Sequence, residues 1–86
     1  MASIYVLAVH DSAVDAFMRP IFVPHRNSGI RAFQDEVNRA GSEMNAHPED
    51  YNLFYLGEYN EQTARFERMA ETPELLIRGK DAKKGS

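Results

Sequence analysis

Guanidinium groups interleave with aromatic rings twice in this 86-residue chain. Phe17, Arg19, Phe22, His25, Arg26 and Arg31 form one cluster, and Arg65, Phe66 and Arg68 form a second. Rings that stack on bases, beside cations that hold phosphates, grip a single nucleic-acid strand without regard to its sequence. The residues assigned to such a contact are Arg19, Phe22, Arg26, Arg31, Arg65, Arg68, Lys80, Lys83 and Lys84, with Phe66 as a further stacking ring if exposed. The competing expectation for Phe22 and Phe66 is a place in the core.

Other constellations carry less. His10-Asp11-Ser12 has the residue types of a nucleophile relay, but neighbours on a strand point to opposite sides. A turn with Asp11 and Ser12 bonded to backbone amides is the better reading. His10, His25 and His47 are not spaced as metal ligands on one helix or strand. His10 and His25 converge only if the first two extended pieces pair. Glu49, Asp50 and Glu58 supply carboxylates, but paired-acid hydrolysis needs two of them across a cleft, and so short a chain leaves little room for one. The five glycines are scattered and form no phosphate loop. No catalytic residue, metal ligand or cofactor is therefore assigned, and a small-molecule enzyme is the poorest reading.

The elements that must position these residues follow from periodicity. Ile4 to His10 reads as a strand, with Ile4, Val6 and Ala8 on one face and Tyr5, Leu7 and Val9 on the other. Both faces are apolar, so the strand is expected at the centre of a sheet, with a helix on one side and a partner subunit on the other. Phe17 to Pro24 holds two prolines, which restrict it to an edge strand or extended loop. Asn27 is a candidate N-cap. From it Ile30, Phe33, Val37 and Ala40 make one apolar stripe of a helix. Asp35 and Arg39 are placed to pair on that helix, and Gly41 to end it. Gly41 to Glu49 is a polar connection. Asn52 to Tyr59 is a second strand, Asn60 to Thr63 a turn, and Ala64 to Met69 a half-exposed strand. Leu75, Leu76 and Ile77 are expected to dock on the core. The expected fold is α+β: a small antiparallel sheet of three to four strands with one amphipathic helix packed on one face.

Length and charge bound the rest. Eighty-six residues make one domain, here residues 1–77, which buries roughly 60–65% of its unfolded surface. There is no cysteine, so no disulfide or thiolate site staples it, and a small unstapled domain often gains burial by forming an oligomer. The N-terminal apolar run lacks a basic flank and is too short to span a bilayer, so no membrane association is expected. The net charge is −3 but unevenly spread: residues 1–77 hold twelve acids and six bases, while Arg78, Lys80, Lys83 and Lys84 face only Asp81 in residues 78–86. The acidic body argues against tight duplex binding. Residues 78–86 read as a basic, disordered tail.

One longer pattern suggests a family. A Tyr-Val strand precedes Asp11. Arg19-Pro20-Ile21-Phe22, Arg31-Ala32-Phe33 and Gly41-Ser42 follow. The pattern closes on His47-Pro48-Glu49-Asp50-Tyr51-Asn52-Leu53 and Leu56-Gly57-Glu58-Tyr59. Across roughly residues 4–60 it resembles the small nonstructural proteins of gokushoviruses, which are single-stranded-DNA phages of the Microviridae. The resemblance implies a phage accessory protein made in the host cytoplasm. Such proteins are commonly assigned to single-stranded-DNA synthesis or its coupling to genome packaging, and no catalytic motif carries over.

Two expectations result. One is a non-enzymatic, oligomeric protein that contacts single-stranded DNA, or phage replication or capsid proteins. The other is a homodimeric interaction module that binds a phage or host protein without touching nucleic acid, with Tyr5, Leu7 and Val9 at the interface.

Overall fold

The computed structural model describes residues 3–84. In chain order these form β1 (Ser3–Asp11), β2 (Ala16–Phe17), β3 (Ile21–Val23), α1 (Arg26–Val37), α2 (Glu43–Ala46), a 3-10 turn (Pro48–Asp50), β4 (Tyr51–Asn60), β5 (Arg65–Glu67), β6 (Glu74–Arg78) and α3 (Gly79–Ala82). The α+β class is as expected. The counts are larger: six strands in one antiparallel sheet, and three helices among the described residues. The strands beyond those expected are β2 and β6, two and five residues long and too short to show a period of their own.

β1 and β4 pair along their whole lengths at the centre. Each has its other edge filled by two short strands end to end. On β1 these are β2 beside His10 and Asp11, and β3 beside Tyr5 to Leu7. On β4 they are β5 beside Glu58 to Asn60, and β6 beside Asn52 to Tyr55. The sheet is thus four strands wide. The break between β2 and β3 falls at Met18-Arg19-Pro20, where proline removes a ladder donor. β4 carries a bulge: Val6 faces Gly57 but Leu7 faces Tyr55, so Leu56 is the extra residue. β6 carries another, with Leu53 opposite Ile77 and Phe54 opposite Leu75.

All the helices lie on one face. Leu7, Leu53 and Tyr55 from the sheet pack with Phe33 and Val37 of α1 and Ala82 of α3, and Leu7, Val37 and Leu53 have no exposed surface. Tyr5 and Val9 pack against the same cluster. This corrects the expected interface: Tyr5, Leu7 and Val9 point under the helices, not toward a partner. Alternation alone makes two apolar faces and cannot say which the helix takes. Gly29 bears on that choice, because a side chain there would run into Leu7.

Local chemistry adjusts the elements further. α1 starts one residue before Asn27, with His25 at the N-cap and no side-chain cap bond. The partner of Arg39 is Glu36, not Asp35, through a two-pronged pair at 3.0 and 2.7 Å. That hydrogen bond holds the Glu36 carboxyl below its ordinary value. Gly41 adopts a left-handed φ of 89° but does not end α1, which stops at Val37 with Asn38 as its C-cap. The connection after it is structured by Ser42, whose hydroxyl donates to the Glu36 carbonyl at 2.7 Å and accepts from the Asn45 amide at 2.9 Å, capping α2.

The expected disordered tail is also corrected, over Arg78 to Lys84. Arg78 closes β6, and Gly79 and Ala82 are buried. Asn38, at the end of α1, clamps the segment: its amide donates to the Ala82 carbonyl at 2.9 Å, and its oxygen accepts from the Lys84 amide at 2.7 Å. Residues 85 and 86 lie outside the described residues.

Candidate functional site

The face of the sheet opposite the helices has no covering element among the described residues, and register defines who lines it. Directly paired residues share a face. Ile4 pairs with Tyr59, Val6 with Phe22 and Gly57, Ala8 with Phe54, and His10 with Phe17 and Asn52. The outer columns add Phe66 opposite Tyr59, Leu75 opposite Phe54 and Arg78 opposite Asn52. The strip is apolar down its middle, where Val6 and Ala8 are screened to 2% exposure by their larger neighbours.

Six rings gather on this face in two groups. At one end Phe22, Tyr59 and Phe66 meet with centroids 5.1 to 6.3 Å apart. At the other end His10, Phe17 and Phe54 meet at 4.7 to 6.2 Å. These are the edge-to-face and tilted contacts that ring quadrupoles favour. The centres of the triads are about 15 Å apart, since Tyr59 and Phe66 lie level with Ile4 and Phe22 with Val6, while Phe54 lies level with Ala8 and Phe17 with His10. Phe17 and Phe22 remain 45% exposed and Phe66 56% exposed. Single-strand-binding sheets present aromatic rings in this way, with bases stacked on them.

The charged residues are distributed differently from expectation. The Arg26 guanidinium lies 4.4 Å from the centre of the Tyr55 ring, on the helix face. Arg19 lines an apolar hollow of about 190 Å³ beside Phe33, Met44 and Leu53 at the helix-side edge. Arg31 is exposed on α1. Arg65 faces Asn60 on the helix side, and Arg68 pairs with Glu58 at 2.9 Å. The Lys83 ammonium donates to the Asn45 carbonyl at 3.0 Å, and Lys84 is held at α1 through its amide. Of the assigned residues, Phe22 lies on the uncovered face and Lys80 beside it. Lys80 and Arg78 line a hollow of about 450 Å³ with Glu49, Asn52, Phe54 and Leu75.

Sequence reading left out Phe17, Phe54, Tyr59 and Arg78 as site residues. Phe54 and Tyr59 sit in the same run as the core residues Leu53 and Tyr55, and only the strand register separates them.

The remaining constellations resolve as local structure. The Ser12 hydroxyl donates to the Asp50 carbonyl at 3.0 Å, and Asp11 accepts from the Ala13 amide at 3.0 Å, so this stretch is a turn. His10 bonds Asp15 at 3.1 Å. His10 and His25 fall at opposite ends of β1, since β3 runs antiparallel to it. His47, Glu49 and Asp50 bring potential ligand atoms within 4.8 Å of one another, which one tight turn achieves by local geometry. Tyr51 beside them has its phenol pushed up, chiefly by burial and then by Asp11, Glu43 and Asp50. Among the described residues no helix is long and apolar enough to cross a membrane.

Comparison with known families finds a match to the family described as Phage ORF5 protein over residues 4–82. No curated protein and no solved structure matches.

Proposed function

The chain belongs to the Phage ORF5 protein family, and from that premise we propose a non-enzymatic accessory protein that binds single-stranded DNA on its uncovered sheet face. The observation that carries this is the pair of ring triads on one face of the sheet, with the helices confined to the other. Stacking suits any base, because every base has a π-face. The acidic body repels duplex, whose affinity comes mainly from phosphate neutralisation. The resemblance to gokushovirus proteins supports a role in single-stranded-DNA synthesis or genome packaging within the infected cell.

The deciding experiment is fluorescence anisotropy of a labelled oligothymidylate at two salt concentrations, with duplex as control. The expected result is single-strand binding that weakens with salt and far weaker duplex binding. No binding to the single strand at low salt would overturn the reading.

A second reading is a homodimer, or a complex with a phage replication or capsid protein, formed through the same face. It is favoured by the scarcity of charge there: of the strand residues paired onto this face, Arg78 and His10 alone carry ionisable cationic groups. Exposed apolar strips on small domains commonly mark partner sites. Sedimentation at several concentrations separates the two, since a dimer built on this face would lose it on Phe66→Glu while keeping its fold.

A further inference from the structure

We propose that the hollow between β4, β6 and the 3-10 turn is a nucleotide subsite, with the phosphate on Arg78 and Lys80 and the base against Phe54. The proposal rests on the sheet-face reading and says where a strand is anchored on that face. The hollow of about 450 Å³ joins the ring triad of His10, Phe17 and Phe54 to a pair of cations: Arg78 and Lys80 share it with Phe54, Leu75, Asn52 and Glu49. Phe17 meets Phe54 at 5.5 Å and extends the stacking surface.

Arg78 and Lys80 are held in place by the backbone between them. Gly79 is packed so closely on the carbonyls of Pro48 and Tyr51 that a side chain there would collide with both. The segment is thereby pinned to the 3-10 turn, and its two flanking cations are exposed. Among the described residues neither cation has a carboxylate within salt-bridge distance, whereas Arg39 and Arg68 do. The other triad offers Phe22, Tyr59 and Phe66 without a comparable pair, since Arg65 lies on the helix side. Glu49 on the wall of the hollow opposes an anion. Its negative charge weakens the site and limits it to a phosphate that the ring also holds.

The test combines salt-dependent anisotropy with NMR. The double variant Arg78→Ala, Lys80→Ala is expected to lose at least about tenfold in oligothymidylate affinity at low salt. It should flatten the log–log salt slope by about 1.4, the contribution of two phosphate contacts on a single strand. Phe66→Ala should lower affinity with the slope unchanged, and Glu49→Gln should raise affinity. In ¹H–¹⁵N spectra of the full chain, thymidine 5′-monophosphate should shift the amides of Phe54, Leu75, Arg78 and Lys80. Thymidine alone and inorganic phosphate alone, at the same concentration, should shift them much less. If phosphate alone reproduces the shifts, the subsite is a simple anion site and the nucleotide proposal fails. If oligothymidylate binds but the double variant keeps its affinity and slope, the subsite is overturned and the sheet-face reading stands. If oligothymidylate does not bind at all, both fall.

Discussion

Gly29 of α1 lies directly against Leu7 of β1, so close that a methyl group at Gly29 would overlap the Leu7 side chain. Leu7 is fully buried beneath Phe33 and Val37 and has nowhere to move. Gly29→Ala improves helix propensity by about 1 kcal/mol but overpacks this contact, at about 1–3 kcal/mol. The net expectation is destabilisation of about 1 kcal/mol. Urea unfolding checks it, as a lower midpoint at unchanged slope.

Phe22 and Phe66 contribute to the sheet mainly through each other and Tyr59. Because both are about half exposed, Phe22→Ala and Phe66→Ala should each cost no more than about 1.5 kcal/mol of stability, the scale of an aromatic pair. Their effect on single-strand binding should be of similar size or larger, about 1–3 kcal/mol per base lost from the stack. Parallel measurement of thermal unfolding and oligothymidylate affinity gives both numbers. Full affinity in both variants would leave the triad without a stacking role.

Asn38 ties the end of α1 to the end of the chain through Ala82 and Lys84. Asn38→Ala leaves the part-buried Ala82 carbonyl without this donor, a loss of about 1–3 kcal/mol. The loss should be local. Hydrogen exchange at Ala82 to Lys84 should quicken, while Leu7 and Leu53 at the sheet centre keep their protection.

The Tyr51 phenol ionises above its ordinary 10.0 in the folded chain, because burial and the nearby carboxylates disfavour the phenolate. Between the unfolded and folded values the unfolded chain has already lost its proton. Stability is therefore intact below pH 10 and falls as pH rises through the folded value. Tyr51→Phe should remove that part of the alkaline decline and leave neutral-pH stability little changed. Unfolding midpoints at about pH 7, well below the phenol range, and at about pH 10 and 11, within it, provide the comparison.

Periodicity made α1, β1 and β4 legible, since each is long enough to repeat its pattern. Pro20 and Pro24 limited their stretch to an edge strand or an extended loop, and the structure has the short edge strand β3. What the sequence hides is held by distant bonds. Asn38 reaches residues 44 and 46 positions away, and no local pattern announces the docking of α3. The arginine clusters were legible as composition but not as geometry. Arg26 turns to Tyr55 and Arg68 to Glu58, away from the rings that adjoin them in sequence. The orientation of β1 was ambiguous for a physical reason: both of its faces are apolar, and the close contact of Leu7 is with a glycine in another element.

The bulge at Leu56 changes how β4 is to be read. Phe54 and Tyr59 are five positions apart, an odd spacing that would put them on opposite faces of an uninterrupted strand. The extra residue switches the reading frame of the strand midway, and so both rings come to the same side. Sequence positions before Leu56 and after Gly57 therefore obey opposite odd–even rules, and a one-residue deletion between them would exchange inside for outside along half the strand. Length in this stretch is as strictly set as residue identity. A relative that drops one residue here would have to restore it within β4 to keep its two ring clusters on a common surface.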